Sequence, residues 1–156
     1  MRLAVALLAL LLAACATRVP TPAELEARRL EPVAGKAVLY LFRSYTDLDS
    51  NAPVVMLDGQ MQGASYRGTY FRFVLAPGRH QLTGYAADNG RFDFNAEAGQ
   101  GYFIRHTVSR LGGFDQSLFI PASPADGRAA VLQYELNNPP AVKLNFTDPE
   151  STIRVQ

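Results

Sequence analysis

The stretch from Gly68 to Tyr85, GTYFRFVLAPGRHQLTGY, decides the fold class. Phe71, Phe73 and Leu75 recur at every second position, the period of a strand with one buried face. Ala76-Pro77-Gly78-Arg79 then supplies turn chemistry, and Gln81-Leu82-Thr83-Gly84-Tyr85 runs back. Pro77 presets φ at about −65° and Gly78 tolerates positive φ, the pair that a type II turn needs. A hairpin here predicts an antiparallel β protein. It carries no reactive motif, so its contribution is architectural.

The flanking sequence extends the same pattern. Lys36 to Arg43, KAVLYLFR, is apolar on both faces and rich in β-formers, as a central strand is. Val54 to Leu57, Asp58-Gly59 and Gln60 to Ala64 read as strand, tight turn and strand, because Asp-Gly is a strong hairpin signal. Downstream, Asn89-Gly90 turns the chain, and Phe92, Phe94 and Ala96 alternate with Asp93, Asn95 and Glu97. Gly99-Gln100-Gly101 turns it again. Tyr102 to Leu111 is a long strand with Tyr102, Ile104, His106 and Val108 on one face, Gly112-Gly113 breaks it, and Ser117 to Ile120 is a short strand. About seven short strands with closely spaced turn signals predict an antiparallel β-sandwich. Ala125 to Leu136 predicts a short helix, since Ala129, Leu132 and Leu136 share one face at helical spacing. Asn137-Asn138-Pro139-Pro140 ends it. Val142, Leu144 and Phe146 then alternate as a short edge strand within the C-terminal extension, 137–156.

The N-terminus sets the compartment. Met1-Arg2 is followed by an unbroken apolar run from Leu3 to Ala14. As a helix that run spans roughly 18 Å, short of the ~30 Å hydrocarbon core of a bilayer, which favours a secretory signal over a membrane span. It ends in Leu12-Ala13-Ala14-Cys15, which resembles the bacterial lipoprotein signal, or lipobox, with cleavage between Ala14 and Cys15. Small residues suit a narrow peptidase cleft, and a thiol is needed to carry the diacylglycerol thioether. Ala14-Cys15-Ala16 also satisfies the small-x-small rule of ordinary signal cleavage, which would discard the cysteine and release a soluble protein. Ala16 stands where an aspartate argues for inner-membrane retention. The expected location is therefore the inner leaflet of the outer membrane, facing the periplasm. The chain has one cysteine, so no intrachain disulfide forms despite the oxidising destination.

The expected division is a signal peptide at 1–14, a lipidated tether at 15–35, a β-sandwich at 36–136 and the extension beyond. Within the tether, Thr21-Pro22-Ala23-Glu24 reads as a capping box with Pro at the first helical position, and Glu24 and Arg28 form an i,i+4 pair. A helix this short is marginal alone and predicts a frayed spacer, with a partner-docking helix as the alternative. Loss of Arg2 takes Lys and Arg from 15 to 14, matching 14 Asp and Glu. That neutrality argues against nucleic acid or anionic lipid as the main partner.

Chemistry-bearing motifs are scarce. His80 and His106 are the two histidines, and neither has a ligand partner at metal spacing. His80 follows the Pro-Gly turn, where a hydrogen bond would tie the turn down; His106, mid-strand, reads as a satisfied core or cross-strand residue. Gly63-Ala64-Ser65-Tyr66-Arg67 fails the nucleophile-elbow pattern at its last position. Asp47-Leu48-Asp49-Ser50-Asn51 copies the opening of a calcium loop, and Asp58 falls at its twelfth position. Ala52 replaces the sharp-turn glycine, however, and Asp replaces the bidentate Glu, so a solvated loop without metal is expected. Tyr66, Arg67, Tyr70 and Arg72 form the candidate binding surface, an aromatic-basic set suited to glycan or acidic peptide. The competing reading makes them the outward face of an amphipathic strand whose Phe71 and Phe73 point inward.

A family resemblance rests on an ordered set of pieces. These are Ala37 to Arg43, Leu57-Asp58-Gly59, Gly68-Thr69-Tyr70-Phe71, Leu75-Ala76-Pro77-Gly78-Arg79-His80 and Gly99-Gln100-Gly101-Tyr102-Phe103-Ile104-Arg105. Together they resemble a family of bacterial lipoproteins of uncharacterised function (domain of unknown function two-eight-four-six), over about Lys36 to Leu136. The set is also similar to PEGA-type surface β modules. The resemblance implies a β-sandwich on a lipid anchor and brings no catalytic residues. The expectation is a non-enzymatic, lipid-anchored interaction or scaffold module without cofactor. Its partners would be the membrane, through a diacylglyceryl Cys15, and an envelope protein or glycan, but not nucleic acid. The alternative is a carrier that holds a small apolar ligand between its sheets.

Overall fold

The computed structural model describes residues 18–47, 52–84, 90–111 and 114–137. The expected signal peptide, its cleavage site at Ala14 and Cys15, and the edge strand at 142–146 lie outside them. Among the described residues nine strands form two sheets, and two short helices accompany them. The strands are β1 (Ala37–Arg43), β2 (Val54–Leu57), β3 (Gln60–Ala64), β4 (Thr69–Leu75), β5 (Gly78–Thr83), β6 (Arg91–Ala96), β7 (Gly101–Leu111), β8 (Phe114–Pro121) and β9 (Glu135–Leu136); the helices are α1 (Pro22–Arg28) and α2 (Pro124–Gln133). One sheet has the order β8-β7-β1-β4-β9 and the other β3-β2-β5-β6. The protein is mostly β with a sandwich-like arrangement, as the strand pattern implies.

Strand β1 is the centre of the five-stranded sheet, and all seven of its residues are buried. Ala37, Leu39 and Leu41 join Val55, Leu57, Phe71, Leu75, Leu82 and Ile104 in the core between the sheets. Val38, Tyr40 and Phe42 point the other way and pack with Tyr70 and with Ala27, Ala130, Val131 and Tyr134 of the helical side. A strand with apolar residues on both faces needs cover on both faces, and the helices supply the second. Each buried Val, Leu, Ile or Phe among them contributes roughly 1.5–3 kcal/mol by leaving water.

Two pairings depart from the antiparallel expectation. Strand β1 runs parallel to β7, with Arg43 beside His106, and β4 runs parallel to β9. Alternation tells which face is buried but not the direction of the neighbour. The larger correction concerns the stretch from Gly68 to Tyr85, which is not a hairpin. Strand β4 pairs with β1 and β9, while β5 pairs with β2 and β6, so Pro77-Gly78 carries the chain from one sheet to the other. Gly78 has φ of 132° and is already the first residue of β5. That value is not the third position of a type II turn and lies where glycine alone is comfortable. The corner places Phe71 and Leu75 across the core from Leu82, an arrangement that side-by-side pairing would deny them. The Asp58-Gly59 turn does form as expected, with both residues at positive φ between paired Leu57 and Gln60, the type I′ pattern.

The helices carry the remaining corrections. In α1, Thr21 Oγ1 accepts the Glu24 amide hydrogen bond at 3.2 Å, as the capping motif requires. The helix is no frayed spacer, however: Ala27 is buried against the sheet and Arg28 donates to the Tyr134 carbonyl at 3.2 Å. Tertiary packing supplies what seven residues lack on their own. Helix α2 starts at Pro124 rather than Ala125, capped by Ser123, and ends at Gln133. Its buried positions are Gly127, Ala130 and Val131, whereas Leu132 is exposed, so the expected apolar face was out of phase. A Cβ at Gly127 would collide with the Phe103 ring, which explains why α2 turns a glycine toward β7. Glu135 and Leu136, expected as the helix end, pair with Thr69 and Tyr70 instead.

Candidate functional site

The four residues of the predicted surface do not share one. Tyr66 and Arg67 are exposed between β3 and β4, and Arg67 donates to the Asp47 carbonyl at 3.2 Å. Tyr70 is fully buried beneath the helices, and Arg72 is half-buried on the same face, 3.6 Å from Glu26 of α1. An outward strand face was the right direction for Tyr70 and Arg72, but a helix covers it. Burial, reinforced by the Glu24 carboxylate, pushes the Tyr70 hydroxyl up to about 12. Around it Glu24, itself buried, bonds Arg18 at 2.9 Å and Arg28 at 2.7 Å. This cluster fastens α1 to the sheet.

The densest polar chemistry lies elsewhere, at the end of the sandwich where β1 finishes. Arg43 is 1% exposed; its Nε donates to Asp47 Oδ2 at 2.8 Å and its Nη1 to the Ser65 carbonyl at 2.8 Å. The same Asp47 oxygen accepts from the Val108 amide at 3.1 Å. His106, fully buried, stands between two hydroxyls, with Nδ1 2.9 Å from Ser65 Oγ and Nε2 3.0 Å from Ser117 Oγ. Its ring stacks on Phe119 at 4.9 Å between centroids. Burial, then the neighbouring Arg43 charge, pushes His106 down to about 4, with Asp47 offsetting part of the effect. The ring is therefore neutral at physiological pH, with one nitrogen donating and the other accepting. Hydroxyls suit both roles. The arrangement joins β1, β7, β8 and the segments after β1 and β3 through buried, satisfied polar groups. Its histidine and two serines face each other rather than solvent and hold these segments together.

Arg43 was not singled out in the sequence, where it reads as the polar end of an apolar strand. The signal available was a charged residue closing a strand otherwise buried on both sides. Asp47 was expected in a solvated loop; it is buried and committed to Arg43. Of the other calcium-loop positions, 48–51 lie outside the described residues. Asp58 is committed to the opposite end of the sandwich: its Oδ2 lies 2.7 Å from His80 Nδ1 and its Oδ1 accepts the Gln81 amide at 2.9 Å. His80 Nε2 lies 2.8 Å from the Ala76 carbonyl. Both partners of the ring are pure acceptors, so the doubly bonded form is the imidazolium. Burial works against that charge, but the Ala76 and Asp58 bonds outweigh it and His80 titrates above its usual value. His80 thus ties the sheet-crossing corner to the Asp58-Gly59 turn, as its position after Pro-Gly suggested. Among the described residues no cluster of His, Cys, Asp and Glu could hold a metal ion.

Two open grooves flank α2. One, about 360 Å³, is lined by Phe42, Arg105, Asp126 and Tyr134 among others; the second, about 300 Å³, lies against Tyr40, Phe103 and Arg128. Both lie on the helical side, not between the sheets. No helix among the described residues is long and apolar enough to cross a membrane.

Comparison with known proteins agrees with the sequence pieces quoted above. A search of curated proteins finds no match. The model of one family, described as protein of unknown function (DUF2846), matches residues 33–116, from just before β1 into β8. Arg43, Asp47, Ser65 and His106 of the buried polar network lie inside that span, whereas Ser117, α2 and β9 lie beyond it, so the match stops short of the Leu136 limit expected from the sequence. Covering more than half of the chain, the match makes this protein a member of the DUF2846 family.

Proposed function

We propose that this protein is a lipid-anchored component of the bacterial envelope that works as a non-enzymatic interaction or scaffold module. The observation that carries this reading is Leu12-Ala13-Ala14-Cys15 at the end of an apolar run too short to span a bilayer. Acylation of Cys15 would place the domain on the inner leaflet of the outer membrane, facing the periplasm. Several acyl chains hold a protein far more firmly than one, at ~0.8 kcal/mol per buried methylene. Confinement to a surface raises the effective concentration of a weak binding face, so a protein that only presents surface gains affinity without new contacts.

Among the described residues the two histidines serve the architecture, which supports the non-enzymatic reading: the His106 network is internal and the His80 pair ties two turns together. The buried apolar side chains that pack between the sheets, Leu39, Leu41, Val55 and Leu82 among them, support a scaffold over the carrier alternative, which needs room there. The test is fractionation of cells fed an alkyne-tagged fatty acid. The wild-type chain should take up the tag and pellet with membranes, and Cys15→Ala should lose both. Pelleting of untagged Cys15→Ala would overturn the anchor. Crosslinking in intact cells followed by capture of the acylated chain then identifies the partner; cofactor-free turnover of an envelope metabolite by the purified chain would overturn the scaffold.

A further inference from the structure

We propose that the outer surface of the helical layer rests on the lipid surface, with Val19, Leu25 and Leu132 as its apolar contacts; this rests on the lipoprotein reading above and adds an orientation to it. The first observation is where the described chain begins. Arg18 is pinned by ion pairs to Glu24 at 2.9 Å and to Glu135 at 3.7 Å, at the edge where α1 meets β9. Three residue steps separate Arg18 from Cys15, a reach of at most about 11 Å even when fully extended. A lipid on Cys15 would therefore hold this edge against the headgroups. The segment before β1 works as a short clamp, not a long tether.

The second observation is what that edge presents. Val19, next to Arg18, is 84% exposed, Leu25 on α1 is 54% exposed and Leu132 on α2 is 57% exposed. The two helices cover the same sheet face and are joined by the Arg28 bond to the Tyr134 carbonyl, one short step beyond Leu132. Leu25 and Leu132 are thus exposed positions on two helices that pack over one sheet face. Charges on this layer cancel: exposed Arg29 and Arg128 are matched by exposed Glu26 and Asp126. Attachment is accordingly apolar, not ionic, and insensitive to salt. The four-stranded sheet, stacked ~10 Å beyond the five-stranded one, then points into the periplasm.

Acylation blocks Cys15, so an introduced cysteine becomes the one free thiol of the mature chain. Acylated full-length protein carrying Leu25→Cys, Leu132→Cys or, on β3, Met61→Cys is labelled with an environment-sensitive fluorophore. It is then reconstituted in phosphatidylethanolamine–phosphatidylglycerol vesicles bearing nitroxide-labelled acyl chains. Quenching at positions 25 and 132 should exceed that at 61 by roughly twofold or more, at low and high salt alike. Val19→Cys replaces any variant whose circular dichroism departs from wild type. Equal quenching at all positions, or none at 25 and 132, in protein whose mass shows an acylated Cys15 overturns the docking and leaves the anchor standing. An unacylated Cys15 overturns both.

Discussion

At one end of the sandwich His106 sits among Ser65, Ser117 and the Arg43 charge with no exposed surface; at the other, His80 joins Asp58 to the Ala76 corner within reach of water. The same side chain titrates well below its ordinary value in the first place and above it in the second. Partner chemistry explains the difference: hydroxyls can complement a neutral ring, whereas a carboxylate and a carbonyl require two N–H groups. Burial sets the energetic stakes. A polar group lost from the dry end strands its partners away from water, while one lost from the wet end is replaced by solvent.

Arg43→Met breaks the dry end most severely, since it takes the guanidinium from a buried carboxylate. It should cost about 3–5 kcal/mol, read as a lower urea midpoint, with part recovered in Arg43→Met/Asp47→Leu. Next comes the pH response of His106. Its folded value of about 4 lies below the ordinary 6.5, so the unfolded chain takes up the proton first. The stabilisation is therefore complete above 6.5 and is lost as pH falls toward 4; His106→Asn should flatten the acid slope of melting temperature in that window. Ser117→Ala leaves one ring nitrogen without its partner and should cost about 1–3 kcal/mol at neutral pH. The smallest effect belongs to the wet end. His80→Gln should cost about 1 kcal/mol or less, in keeping with exposed ion pairs. Its sign is the opposite one: a raised value means stability fully present below the usual histidine value and lost as pH rises above it through the raised folded value. Equal losses for Ser117→Ala and His80→Gln would break the comparison.

The sequence was informative wherever a residue's neighbours in the chain determine its setting. Strand β1 announced itself because all but its last residue are apolar or aromatic on both faces, and Asp58-Gly59 because a two-residue turn is a local event. Pro77-Gly78 misled because the same two residues serve a hairpin and a sheet-crossing corner, and the choice depends on what Phe71 and Leu82 bury against. The cover over Tyr70 was invisible for the same reason: a strand's period does not show whether helices lie above it. The Arg43–His106 meeting depends on a parallel pairing between positions 43 and 106, which nothing nearby in the chain records. The cap of α2 was legible in Ser123-Pro124-Ala125-Asp126, where the Ser123 hydroxyl accepts from the Asp126 amide at 3.1 Å, and was missed by weighing apolar spacing over capping residues.

The position of β1 has a consequence for biogenesis. It is the first strand among the described residues, yet its two neighbours are Thr69–Leu75 and Gly101–Leu111. A seven-residue greasy ribbon must wait, edges open, until most of the polypeptide has emerged. Such delayed closure slows folding and invites intermolecular sticking. Holding by a chaperone until these strands are available would prevent this, and overproduction without one should yield aggregates nucleated at residues 37–43.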